Sequence, residues 1–219
     1  MRICFVGQGA VRAFNSQEIS ACDLLLFGFN GIDEVSYERE LKGETTWLED
    51  VALLSKGIDA TVVSGCITDT RGHKRKSAVV AERGKLMGVS DMLNVIDGAI
   101  NCGAALRVYE TKVGRMGLLV AEDLYFPETI RALAMCGSDF IVCPFGGVLD
   151  SLQRVLLRAN AFCHGIPIFF VGNGYSMIAD PCGNIAFASP NSPILYEYCK
   201  VKEYHLLETR RRGFFRSGV

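Results

Sequence analysis

No apolar run in the chain approaches the roughly 20 residues that a membrane-spanning helix needs, which excludes a protein of that kind. No cysteine pair has C-x-x-C spacing, no G-x-S-x-G serine elbow occurs, and the only histidines, His73, His164 and His205, share no ligand spacing. These absences exclude the common zinc modules and the serine-triad hydrolases, and they predict neither a metal nor a cofactor. A formal net charge of −1 leaves no overall electrostatic pull toward nucleic acid or an anionic membrane. The 9 cysteines are scattered and odd in number, and several lie inside apolar runs, where a thiol behaves as a small hydrophobe. They predict reduced thiols in a cytoplasmic protein. No repeat, low-complexity tract or linker interrupts the chain, and the opening MRICFV reads as a first strand rather than a signal peptide. Residues 1–219 are therefore expected to form one domain.

Strand-length apolar runs and helical periodicities fill the rest. Arg2–Val6, Asp23–Phe27 and Ala60–Val63 read as buried strands, the last ending at Ser64-Gly65. Tyr37–Lys56 has the spacing of an amphipathic helix, weakened by about 1 kcal/mol at Gly43. The basic cluster Arg71, His73, Lys74, Arg75 and Lys76 is expected on a solvated hairpin edge, where lysines block unwanted pairing. Ser77–Ala81 and Leu86–Val89 form a second hairpin. Leu149 to Cys163 carries a helical stripe bounded by Asp150/Ser151 and Gly165. Ile168–Val171, Ser176–Ala179 and Ile185–Ala188 follow as strands, with a strand-like segment again from Tyr198. Gly7 and Gly9 lack the third glycine of a dinucleotide loop. Alternating helices and strands with interleaved hairpins predict an α/β fold of two packed sheets covered by helices.

The centre of the chain is Gly114–Phe145, which reads as strand, acidic turn, helix, strand. Ala121-Glu122-Asp123 stands at the carboxyl end of the first strand, where chemistry collects in open α/β sheets. Pro127 is placed to start the helix and Gly137 to end it.

This stretch resembles the nucleophile region of the carbon–nitrogen hydrolase (nitrilase) superfamily, which reads roughly G-x-x-I-C-x-D-x-x-F-P-E. Asp123, Phe126, Pro127 and Glu128 match it. Other landmarks of that family follow in order: the opening strand Arg2–Gln8, the hairpin Ser77–Lys85, Arg158-Ala159, Asn173, and Asp180-Pro181-Cys182-Gly183. The resemblance implies an α-β-β-α sandwich of two mixed sheets, with no cofactor, and a homodimer formed through helices beside the nucleophile strand. Its chemistry uses a cysteine nucleophile, a glutamate that moves protons and a lysine that stabilises developing charge. At those positions this chain has Ala121, Phe29 and Met92. Tyr125 replaces an arginine after the turn, and Asn160 and Cys163 replace an arginine and a glutamate on the following helix.

The resemblance therefore implies a catalytically inactive member. It would retain the fold and a pocket for a small-molecule ligand or a protein partner, bounded by Phe29, Met92, Ala121, Glu122, Tyr125 and Asn173, with Cys143 at the end of the neighbouring strand. Two alternatives stay open: a working amidase or nitrilase, either with Ala121 an introduced replacement of the cysteine or with acid/base groups supplied from elsewhere in the chain, and a pure scaffold with the cavity filled. Glu122 or Asp123 is expected to cap or orient the next helix. Cys143 is expected to be a buried structural thiol and His164 a cation at a helix C-terminus. Arg210, Arg211, Arg212, Phe214, Phe215 and Arg216 are expected to pack on a protein surface rather than on nucleic acid.

Overall fold

The computed structural model describes residues 1–15, 21–96, 98–147 and 149–199. The expectations for His205 and for the basic segment Arg210–Arg216 lie outside these residues.

Two mixed sheets stack face to face. Sheet 1 is built from β1 (Arg2–Val6), β2 (Leu24–Phe27), the short β3 (Val35–Ser36), β4 (Thr61–Thr70), β5 (His73–Glu82), β6 (Lys85–Asp91) and β13 (Ile194–Glu197), in the order β13-β1-β2-β4-β5-β6, with β3 pairing β4. Sheet 2 runs β12-β11-β10-β9-β8-β7, from β7 (Arg107–Thr111), β8 (Gly114–Leu118), β9 (Phe140–Pro144), β10 (Ile168–Gly172), β11 (Tyr175–Ala179) and β12 (Ile185–Ser189). Helices α1 (Tyr37–Leu41) and α2 (Trp47–Gly57) belong to the side of sheet 1. Helices α3 (Pro127–Met135) and α4 (Ser151–His164) belong to that of sheet 2.

The central strands read as continuous apolar runs because both of their faces are buried, and the period of two sorts their side chains. Ile3, Phe5, Leu24 and Leu26 face the interior between the sheets, whereas Cys4, Val6, Leu25 and Phe27 pack outward with Val51 and Ala52 of α2. Across the sandwich, Val142, Phe169 and Val171 face inward, and Ile141, Cys143, Ile168 and Phe170 pack against Ile130 and Leu133 of α3 and Leu157 and Ala161 of α4. This is the expected α-β-β-α sandwich.

Several local expectations change. The single helix over 37–56 is two, because Gly43 takes a left-handed φ of 71°. Glu40 then turns its carboxylate to the restart, where it accepts from the Trp47 and Leu48 N–H groups at 3.0 and 3.2 Å. Strand β4 does not stop at Ser64-Gly65 but runs through to Thr70, paired along its length with β5. The basic cluster does form the hairpin turn, with positive φ at Arg71 and Gly72, but β5 lies between β4 and β6 rather than at an edge. Its cations accordingly find carboxylates: Lys74 meets Glu34 and Arg75 meets Asp91. Among the described residues the last strand, β13, ends before Tyr198 and pairs antiparallel with β1; the strand-like segment expected from Tyr198 lies almost entirely outside them.

Other signals hold as read. Asp150 and Gln153 form a capping box on α4, and Gly165 ends it in the left-handed conformation. Gly7 serves packing, not phosphate binding: a Cβ there would stand 2.9 Å from the Gly172 carbonyl oxygen.

Candidate functional site

Strand β8 delivers the chain to a tight 3-10 turn, Ala121–Tyr125, before α3 begins at Pro127. Ala121 opens the turn with φ 50°. A left-handed conformation costs a residue with a Cβ about 1–2 kcal/mol, so the turn is held by its surroundings rather than by its own preference. Alanine is fully buried there.

The elbow is held by two successive carboxylates, and neither caps α3. Asp123 is fully buried and accepts from the Leu93 N–H at 2.9 Å, the Asn94 N–H at 2.8 Å and the Asn94 side-chain amide at 2.9 Å. Its burial raises the pKa, and these three donors oppose that rise. Glu122 instead pairs with Lys76 of β5. Helix α3 starts without a side-chain cap at Phe126. The helix-capping expectation is thus replaced by tethers from the elbow after β8 to Lys76 within β5 and to Leu93 and Asn94 just past β6. A 3-10 turn permits this because it swings adjacent side chains by about 120° rather than alternating them across a strand.

Phe29, Met92 and Ala121 fall within one extended hydrophobic cluster. All three belong to the apolar cluster between the sheets, Met92 buried within it and Phe29 packed on it from the turn after β2. Met92 follows β6, and its N–H donates to the Lys76 carbonyl at 2.7 Å. The Phe29 ring lies over Gly65 of β4 and beside Gly146 after β9, where Cβ atoms would stand 2.5 and 3.5 Å from ring carbons. Asn173, exposed after β10, is next to this turn, with Asn30 donating to its side-chain oxygen at 3.5 Å.

The remaining pocket candidates are placed elsewhere. Tyr125 packs on the outer cluster of sheet 2, edge-on to Phe145, and its hydroxyl accepts from Gln153 at 2.7 Å. Cys143 lies in that same outer cluster, one residue past inward-facing Val142. Burial pushes its thiol pKa far up, with Asp123 and Glu122 adding to the shift, so it is an inert thiol. His164 does end α4 as expected, but burial lowers its pKa and Arg131 adds to the effect, which disfavours the cation there. Lys76 was missed by sequence reasoning. Its side chain shares the inward face of β5 with Ala78 and Val80, and only strand phase, counted back from those residues, signals it. Among the described residues no His/Cys/Asp/Glu cluster could hold a metal, and no helix is long and apolar enough to cross a membrane.

The chain thus carries a left-handed elbow between β8 and α3 in a sandwich of two mixed sheets covered by helices. The chain belongs to the carbon–nitrogen hydrolase family, whose pattern matches residues 51–199. Rat deaminated glutathione amidase (Rattus norvegicus) is 30% identical over 118 residues, covering 47% of this chain and 35% of that protein. The human protein of the same name is 32% identical over 97 residues, covering 38% and 30%. The matched segments thus span about a third of the length of these relatives. Among solved structures, an amidase from Nesterenkonia sp. superposes with a TM-score of 0.73 at 19% identity, over 99% of this chain and 98% of that one. A carbon–nitrogen hydrolase from Helicobacter pylori gives 0.68 at 19%, over 82% and 78%. At these identities the superpositions establish the fold.

Proposed function

We propose that residues 1–219 act as a single carbon–nitrogen hydrolase-like domain that binds a small molecule without hydrolysing it. The observation that carries this is the residue types at the three positions that match the family's catalytic groups, Phe29, Met92 and Ala121, which share one apolar cluster between the sheets. A methyl group supplies no nucleophile, a phenyl ring accepts no proton and a thioether carries no charge. Cys143 offers no substitute, being on the other face of its sheet with its thiol held protonated.

The protein is proposed to work as a homodimer. Leu152, Val155, Ala159 and Phe162 form a stripe at i, i+3, i+7 and i+10 along α4, the helix packed on the outer face of sheet 2, and all four are exposed. Free thiols throughout suit a reducing, cytoplasmic setting.

A second reading, an active amidase or nitrilase whose cysteine has been replaced at position 121, draws on the retained left-handed elbow. Alanine gains nothing from a φ of 50°. The two are separated by assaying the purified protein and Ala121→Cys against small amides and nitriles, with intact-mass measurement of the variant. No turnover and no acyl adduct are expected. Turnover by the unaltered protein overturns the proposal, and turnover by Ala121→Cys alone establishes the second reading.

A further inference from the structure

Where β5 turns into β6, beside the end of α2, the molecule leaves three cations unneutralised. Lys56 lies in the last turn of α2, Arg83 and Lys85 flank Gly84 in the β5–β6 turn, and all three are exposed. None forms an ion pair among the described residues, whereas Arg71, Lys74, Arg75 and Lys76, toward the other end of β5, each meet a carboxylate. The adjoining carboxylates are engaged elsewhere. Asp59 pairs with Lys112, and Glu82, opposite Lys85 in the ladder, accepts from the Thr61 hydroxyl at 2.6 Å and the Lys112 N–H at 2.9 Å. Helix and turn form one piece: the Gly84 N–H donates to Ser55 Oγ at 3.0 Å, and a Cβ on Gly84 would stand 3.2 Å from the Lys56 stem. Arg83 takes φ 52° and Gly84 77°. Such a turn favours asparagine or glycine at its first position, so this chain places a cation at the tip against local preference.

Two large apolar side chains border the cations. Leu53, 56% exposed, precedes Lys56 by three residues and shares its side of α2. Leu86, 43% exposed, stands opposite Ala81, which packs toward α2, and so lies on the same side of the sheet. The guarding of an edge strand by lysine accounts for Lys85 but not for Lys56 and Arg83, which belong to a helix and a turn tip.

We propose that Leu53, Lys56, Arg83, Lys85 and Leu86 form a docking surface for an acidic segment of another protein, one that carries leucine-like residues among its carboxylates. Charge complementarity sets the sign of the partner, and the two leucines set its class. The surface begins about 20 Å along β5 from Lys76, apart from the elbow, and is independent of the small-molecule reading. A nucleic-acid backbone offers phosphates but nothing for the leucines to bury. An anionic bilayer would draw Glu49 into its headgroups, because that exposed carboxylate precedes Leu53 by one turn on the same helix face. An extended peptide is narrow enough to follow the cations without covering Glu49.

The test is fluorescence anisotropy on the intact chain. The probe is a fluorescein-labelled octapeptide with two leucines among six glutamates, compared with octaglutamate, with the same peptide carrying lysine for glutamate, with phosphatidylserine-containing vesicles and with duplex DNA. Saturable binding of the glutamate–leucine peptide is expected, weakened by salt and stronger than that of octaglutamate, with no binding of the lysine peptide. The double variant Lys56→Glu/Arg83→Glu should lose about tenfold or more in affinity, since like charges then face each other, and should gain binding of the lysine peptide. Arg71→Glu/Lys74→Glu makes the same change in net charge at the other end of β5 and should leave binding unaltered. If the first double variant fails to fold, the wild-type ranking of the five probes still decides. The docking surface is overturned by equal binding in Lys56→Glu/Arg83→Glu, by octaglutamate binding as tightly as the leucine peptide, by tighter binding of vesicles or DNA, or by no saturable binding at all.

Discussion

The ring of Phe29 rests on the bare α-carbon of Gly65 and leaves no room for a side chain there: a Cβ on Gly65 would stand 2.5 Å from Cδ2 and 2.8 Å from Cε2. Phe29 and this glycine are therefore one packing unit. The backbone of Gly65 is ordinary β-strand, so alanine is refused only by the ring and not by φ.

Gly65→Ala should accordingly destabilise the fold by about 1–3 kcal/mol, the usual range for overpacking a core. In the background of Phe29→Ala the same substitution should cost less than about 0.5 kcal/mol, because the ring it strikes is gone. Urea denaturation of the two single variants and the double variant measures the coupling. Additive effects would show that Phe29 does not fill this gap.

At Ala121 two terms oppose each other. Ala121→Gly relieves about 1–2 kcal/mol of left-handed strain and gives up a buried methyl worth about 0.8 kcal/mol. Its stability should change by less than about 1 kcal/mol, and in the stabilising direction. Ala121→Val adds a β-branched side chain where φ is 50°, and should cost at least about 2 kcal/mol. Thermal melts of both variants check the pair of signs.

Asp123→Asn keeps the volume but turns an acceptor-only group into one that presents an N–H₂ to the Leu93 and Asn94 donors. A loss of about 2–3 kcal/mol is expected, by chemical denaturation. The loss should be accompanied by faster amide exchange at Leu93 and Asn94, while α3 stays protected because Asp123 does not cap it. Equal deprotection of α3 would restore the capping role.

His164 sets a pH dependence of definite sign. Its folded pKa lies below the ordinary 6.5 because burial disfavours the imidazolium and Arg131 repels it. The unfolded chain therefore binds the proton more readily. The stability contributed by neutral His164 is fully present above pH 6.5 and is lost as pH falls through the lower folded value. Denaturation midpoints should decline on acidification from neutral pH, and His164→Leu should flatten that slope. A decline of equal steepness in the variant would assign it to other groups.

Much of the fold was legible because local physics and tertiary packing agreed. Strand periodicity, the capping box at Asp150–Gln153 and the left-handed Gly165 each encode their structure within a few residues. Tyr37–Lys56 misled because the apolar spacing continues across a break that Glu40 and Gly43 make together. The end of β4 was hidden because Ser64-Gly65 carries the signature of a turn, while the actual need for glycine comes from Phe29, 36 positions earlier in the chain.

The sequence by itself determined the layers, since alternation along β1, β2, β9 and β10 assigns each residue to one face of its sheet. Only the tertiary structure decided which groups meet. It put Cys143 and Tyr125 outside the interior, gave Asp123 to the backbone of Leu93 and Asn94, and brought Lys76 to Glu122. Those pairings join different sheets, and a contact between sheets depends on how two twisted surfaces superpose, a property carried by no single segment.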